Sequence, residues 1–372
     1  RPELHAMLLA PMQSAYPDWS LPAPNDCWYF TSLLTDCCHG VPPGPAFYEI
    51  GYGWYDEPRF GQLLQRAYQE GPRDSLDALL FGRAELPTAP IAPFASAHLP
   101  ASGYAILRTT PMDDSAEKAE RTQRYLLLKY GPHGEGHGHP DKLNLLVYAY
   151  GQRMAPDLGT PGYGLDLFQS WYRQTVSHNT VTLDGRSQPE GAGQIRGFQS
   201  DGPLQIADAS VHWTDAEPYQ GVTLRRVILA RPAYFMDLFL VEAPQPRRVD
   251  WLYHNAGTLH TPLSLTPYPA ISTEGEGYIH LHSAQQAQTV SDFTATWHMA
   301  EGGMQLWGAG GADMAVLTGT VPGNPPTATL STLLQRQQGR ATAFLTLFHP
   351  FQTMPTVTSV TWLGNSLWQN GW

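Results

Sequence analysis

After residue 100 the chain becomes a long succession of short apolar or alternating stretches, broken by turn residues and without helical patterning between them. This feature constrains the fold more than any other. The stretches are 103–108, 124–129, 143–150, 179–183, 222–229, 233–241, 249–254, 278–282, 304–307, 315–317, 341–348 and 356–362. Residues of alternating polarity bury one face of a strand, and strands that lack crossover helices pair antiparallel. So many strands close a core by stacking sheet on sheet, so the expectation is one large antiparallel β-sandwich.

The first 90 residues have a different character. Segments 3–12, 60–68 and 75–81 predict short helices, the last with Ser75 as its N-cap. Helices this short need a partner layer and do not make a complete domain by themselves. A Pro/Ala-rich passage at 85–100 predicts a linker, which divides the 372 residues into a helical segment, 1–97, and a sandwich, 98–372. The expected fold class is therefore α+β.

The formal charge of −11 and the lack of a basic run argue against a nucleic-acid partner. They leave room for an acidic polysaccharide, because Arg173, Arg186 and Arg196 can receive carboxylates locally. Eighteen tyrosines and 11 tryptophans suit a carbohydrate groove, and also suit a large β-protein. Cys27, Cys37 and Cys38 make at most one disulfide. No apolar run is long enough to span a membrane. The chain begins at Arg1 without a signal peptide, which reads as a processed product or a fragment.

Chemistry concentrates in Tyr130-Gly-Pro-His133-Gly-Glu135-Gly-His137-Gly-His139-Pro-Asp141. Glycine permits close backbone approach, so such a loop can aim several side chains at one point. His139 precedes one strand, Asp157 follows the turn after it, and His178 precedes the next. Three N/O donors at the ends of neighbouring strands suit a divalent metal such as zinc, either catalytic or pinning loops. The competing reading is a flexible Gly-His-Gly-His turn with His178 packed in the core.

His137 and His139 are separated by one residue, so in extended backbone they face opposite ways. One can then hold a metal while the other faces a groove. Tyr163 and Tyr172 are candidate acid–base groups, since cations such as Arg173 and the histidines can lower a phenol pKa from about 10. His254, at a strand end, can reach the same face, whereas His280, His282 and His349 are read as structural. Glu135 and Asp141 are a less favoured glycosidase pair. No Gly-x-Ser-x-Gly elbow, His-Glu-x-x-His, P-loop or dinucleotide fingerprint is present.

The stretches 103–108 and 131–144, Ala155-Pro-Asp-Leu-Gly-Thr and Trp171-Tyr-Arg-Gln-Thr-Val-Ser-His-Asn-Thr-Val-Thr-Leu-Asp-Gly come in an order and spacing that resembles the heparinase II/III-like polysaccharide lyases, oligoalginate lyases among them. That resemblance implies an N-terminal (α/α) toroid followed by an antiparallel β-sandwich. The groove between them cleaves uronate-containing polysaccharides, alginate or glycosaminoglycan-like, by β-elimination. It implies that His139, Asp157 and His178 match zinc ligands and that His137 matches a histidine projecting into the active site. Tyr163 is the better match to the sandwich tyrosine and Tyr172 a possible one; from their own positions in the sequence, Arg173 and His254 are expected on the substrate side. A periplasmic or secreted location is implied, with a cytoplasmic one and a homodimer left open. The toroid's Asn-His and Tyr motifs have no counterpart, so residues 1–97 are expected to be the end of a truncated toroid and the chain to carry part of an active site. The alternative is a non-catalytic, zinc-stabilised carbohydrate-binding or structural sandwich.

Overall fold

A computed structural model describes every residue except 36–43, 70, 89–92, 111–117, 119–120, 134–135, 290, 312 and 363–372. Cys37, Cys38 and Glu135 lie outside the described residues. Four helices come first: α1 (Pro2–Ser14), α2 (Pro45–Tyr55), α3 (Pro58–Ala67) and α4 (Leu76–Phe81). Ser75 caps α4 as expected, its side chain accepting from the Ala78 N–H. α2 lies outside the expected helices, because Gly51 and Gly53 weaken its helical pattern. Gly51 sits against Leu8 and Phe60, where a side chain would crowd the packing. Leu8, Met12, Tyr48, Phe60, Leu63 and Leu64 form the core of this segment.

Two antiparallel sheets follow. The smaller has the order β1 (Ala97–Leu99), β2 (Tyr104–Thr109), β3 (Arg124–Lys129), β4 (Asn144–Ala149), β5 (Gln152–Ala155). The larger contains β6 (Val181–Leu183), β7 (Gln194–Gln199), β8 (Gln205–His212), β9 (Thr223–Ala230), β10 (Phe235–Asn255), β11 (Thr258–His260), β12 (Thr266–Pro267), β13 (His282–Thr289), β14 (Phe293–His298), β15 (Gly303–Gly308), β16 (Met314–Pro322) and β17 (Thr329–Phe351). Its main path runs β11-β14-β15-β17-β10-β9-β8-β7, with β16 on β17 and β6 on β10. The expected strands 233–241 and 249–254 are one strand, β10, interrupted by an irregularity between Glu242 and Arg247.

The two sheets share one core. Leu126, Leu128, Leu145 and Val147 of the small sheet pack with Leu224, Ile228, Phe239, Trp251 and Phe348 of the large one. β3 and β4 are buried at every position, because their other face is covered as well. There Tyr125, Leu127, Leu146 and Tyr148 meet Tyr16, which follows α1. The Tyr16 ring stacks on Tyr148 at 5.1 Å and meets Tyr125 edge-on at 4.8 Å. Burial on both faces is why these strands are continuous apolar runs instead of alternating ones.

Two expected strands are corrected. Segment 278–282 is a 3-10 turn, Tyr278–His280, and the strand starts at His282. The Tyr278 hydroxyl is held by Asp250 and Thr182, which turns the backbone inward. Segment 356–362 forms no strand: its alternating pattern has no neighbouring ladder, and it lies mostly exposed. The expected stretches leave out β8, the polar β7 and β13, and β1, β5, β11, β12 and β14. β13 (His-Ser-Ala-Gln-Gln-Ala-Gln-Thr) pairs with β16 on one side and with only the two residues of β12 on the other, so little apolar patterning was needed.

Candidate functional site

His139, Asp157 and His178 converge, with one donor atom from each lying within 4.8 Å of the others. Three strand-end loops bring them together: the loop before β4, the loop after β5 and the loop before β6. Asn144 clamps these loops. Its Nδ2 donates to Asp157 Oδ2 at 2.9 Å, and its Oδ1 accepts from the Asn179 N–H at 2.9 Å. From beneath, Arg226 on β9 donates to the carbonyls of Leu143 (2.6 Å) and Asn179 (2.5 Å) while pairing bidentately with Asp237 on β10.

The residues themselves test whether a metal fits. His139 Nδ1 and both nitrogens of His178 are buried without hydrogen-bond partners. Buried polar atoms are normally paired, and these three are not. Two imidazoles and a carboxylate are also a donor set that zinc accepts. Burial pushes the His178 pKa down to about 4 and lowers that of His139, which keeps both rings neutral as ligands must be. Burial and the nearby Asp141 raise Asp157 to about 6. Asp141 itself is not a ligand. Burial works against its charge, but Lys129 at 2.5 Å, with His178 and Lys142, holds the carboxyl below its ordinary range.

A strip of the N-terminal segment, outside the expected site residues, completes this region. The Asn25 side-chain oxygen accepts from Lys129 Nζ (2.5 Å) and the His139 N–H (3.3 Å). Asp26 contacts His139 Nε2 at 2.8 Å and His137 Nδ1 at 3.0 Å. The Cys27 carbonyl accepts from the Thr160 N–H at 3.0 Å. Gly159 makes that approach feasible: its φ is +60°, and a Cβ there would lie 2.2 Å from the Cys27 oxygen. Burial on folding decides Asp26 and Asn144; no local pattern announces their roles, although Asn144 ends the 131–144 stretch already noted.

His137 faces away from the buried trio, its side chain 78% exposed. The Tyr163 hydroxyl is 3.2 Å from its Nδ1, and Tyr163 is exposed at the surface. Tyr172 is not brought to this place. It is fully buried, its hydroxyl donates to the Gly323 carbonyl, and burial raises its pKa. His254 is also buried: Nε2 meets the Val176 carbonyl at 2.8 Å, and its backbone N–H donates to Asn179 Oδ1. It supports the His178 loop and does not face a groove. Arg173 donates to the Gly138 carbonyl at 3.0 Å and borders a shallow cleft with His133, Glu190 and Glu276. Arg186 is paired with Glu276 at 3.1 Å, and Arg196 lies exposed on β7.

Two exposed aromatic residues lie on the N-terminal strip that carries Asp26. Trp28, whose backbone bridges Thr160, is 51% exposed, and Phe30 is 72% exposed. No helix among the described residues is long and apolar enough to cross a membrane.

Comparison with known proteins places this geometry. Residues 92–358 match the model of the heparinase II/III-like C-terminal domain. An alginate lyase of Stenotrophomonas maltophilia is 32% identical over 205 residues, covering 48% of this chain and 26% of that protein. A heparin-sulfate lyase of Pedobacter heparinus is 33% identical over 72 residues, 18% of this chain and 11% of that protein. The matched segments thus span about a quarter or less of the length of these relatives. Among solved structures, a mutant of the heparan sulfate lyase HepC from Pedobacter heparinus superposes with a TM-score of 0.62 at 15% identity, over 94% of this chain and 46% of that one. A heparinase III superposes with a TM-score of 0.59 at 13% identity, over 96% and 49%. The chain belongs to the heparinase II/III-like family, and its residues 92–358 are that family's C-terminal domain.

Proposed function

We propose that this chain forms the sandwich side of the active site of a polysaccharide lyase acting on a uronate-containing acidic polysaccharide by β-elimination. The observation that carries the reading is the exposed His137–Tyr163 pair, 3.2 Å apart, joined through Asp26 to His139 of the buried donor trio. In β-elimination a base takes the proton at C5 of the uronate, the electron pair forms the C4–C5 double bond, and the C4–O bond breaks as an acid protonates the leaving oxygen. Tyr163 and His137 are within hydrogen-bond reach of each other, so one can hold a proton while the other exchanges it with the sugar. Trp28 and Phe30, exposed on the strip that carries Asp26, are available to stack on the apolar faces of sugars. Arg173 is the nearby cation for a substrate carboxylate.

His139, Asp157 and His178 would hold zinc. When bound, the metal supplies a cross-link between three loops and a positive charge beneath the groove. All three ligands are buried, which supports a loop-pinning role. Catalysis also needs groups that neutralise the carboxylate from the opposite wall. We assign those to an (α/α) toroid of which residues 1–97 form the end, in keeping with the quarter-length match to the alginate lyase. A periplasmic or secreted location accords with polymeric substrates.

The test is to offer alginate, heparan sulfate and chondroitin to the complete gene product and follow ultraviolet absorbance of the unsaturated uronate. Product from one of them is expected. Sugar binding without product from any of them would replace the lyase with the second reading, a zinc-stabilised carbohydrate-binding sandwich, which the closed donor trio equally supports.

A further inference from the structure

We propose that Asp26 is a positioning residue shared by two imidazoles, fixing His139 with its proton on Nε2 and His137 with its proton on Nδ1. The proposal rests on the metal reading for what His139 does and on the groove reading for what His137 does.

The Asp26 side chain is 2% exposed and lies between the two rings, Oδ1 at 2.8 Å from His139 Nε2 and Oδ2 at 3.0 Å from His137 Nδ1. Its neighbours keep it there: Asn25 is bound by Lys129 and the His139 N–H, and the Cys27 carbonyl by Thr160. An ionised carboxylate only accepts hydrogen bonds, so each nitrogen facing it carries the hydrogen. For His139 this leaves Nδ1, buried and without a partner, as the lone pair available to the trio. For His137 it leaves Nε2 as the open lone pair on an exposed ring. The Tyr163 oxygen then faces an N–H, and its own hydrogen is free for a group in the groove. One carboxylate thus selects the nitrogen offered to the metal and the nitrogen offered to the sugar.

An amide cannot do both. Asparagine has one accepting and one donating end, so in Asp26→Asn one ring must face an NH2 group and move its proton to the other nitrogen. If that ring is His139, Nδ1 is no longer a ligand. If it is His137, the groove nitrogen becomes a donor.

The experiment is a long-range 15N–1H correlation of the histidine side chains in the full chain, metal-free, with zinc affinity measured separately by competition with a chromogenic chelator. The wild type should show the protonated-nitrogen signal at Nε2 of His139 and at Nδ1 of His137. In Asp26→Asn one of the two rings should change tautomer, with zinc affinity about 10–100-fold weaker if it is His139 and unchanged if it is His137. In Asp26→Ala both rings should show mixed tautomers. A protonated Nδ1 on His139 in the wild type overturns the proposal, and so does an Asp26→Asn variant that keeps both tautomers with zinc affinity within twofold. The wild-type spectrum decides alone if the variants do not fold. Neither readout depends on turnover, so absence of lyase product leaves the result standing. A wild type that binds no zinc removes the metal reading while the tautomers remain measurable.

Discussion

His137 and His139 are two residues apart yet differ in almost every physical respect, and their variants should differ too. His178→Ala removes a buried donor, so it should lose bound zinc and lower the unfolding midpoint together, checked by metal content and thermal melting. His137→Ala should keep the metal and stability within error while slowing turnover of the complete enzyme by about 10²–10⁴-fold. Equal metal loss in both would refute the division. A pH prediction belongs to His254, whose pKa burial lowers to about 4, below the ordinary value of 6.5. Between those values the unfolded chain binds the extra proton, so stability is full above pH 6.5 and is lost as pH falls through about 4. The amount is up to about 3 kcal/mol. His254→Gln should flatten the fall in melting temperature over that window, and an unchanged slope would assign the effect elsewhere. The trio was legible in the sequence because Gly and Pro around His139 and Asp157 predict loops at strand ends and His178 directly precedes an alternating strand. Tyr172 and His254 were not resolved there, since residue type does not say which of two neighbouring aromatics the core takes.

At the scale of elements, Arg226 links the sheet to the site. It reads in sequence as an ordinary polar residue of a strand, Thr-Leu-Arg-Arg-Val-Ile-Leu-Ala, in which Arg225 and Arg226 look alike. β9 alternates, and the parity of that alternation sends Arg226 inward with Leu224 and Ile228 while Arg225 pairs with Asp208 at the surface. Arg226→Met would leave Asp237 buried without its cation and two loop carbonyls without a donor. A loss of about 3–5 kcal/mol is expected in urea unfolding, together with weaker zinc binding. Adding Asp237→Leu should return most of the stability and little of the metal affinity, because the carbonyls of Leu143 and Asn179 stay unpaired. Strand existence was legible wherever apolar residues were dense. β13 and segment 356–362 went wrong in opposite directions for one reason: pairing depends on what lies alongside, and a polar strand with neighbours forms where an alternating one without them does not.

For the whole molecule, the division into a helical segment and a sandwich describes composition better than it describes stability. The Arg108 guanidinium reaches the carbonyls of Gln13 and Ala15, Tyr125 donates to Ser14, and Tyr16 covers the outer face of β3 and β4. A chain starting at residue 97 would expose that face and leave Lys129 without Asn25. It should be recovered insoluble, or melt far below the full chain, and a soluble truncation with an unchanged melting temperature would contradict this. Elsewhere on the helical segment Trp54, Leu76, Leu79 and Leu80 are exposed. The contact of Tyr16 with Tyr148 therefore bears on how such enzymes can be recombined. A chimera joined at the Pro-rich passage near residue 90 would separate Asp26 from the histidines it touches, although that passage is where a designer would first cut. The unit that can be moved between scaffolds is the sandwich together with the strip from α1 through Phe30, with the seam placed among the helices.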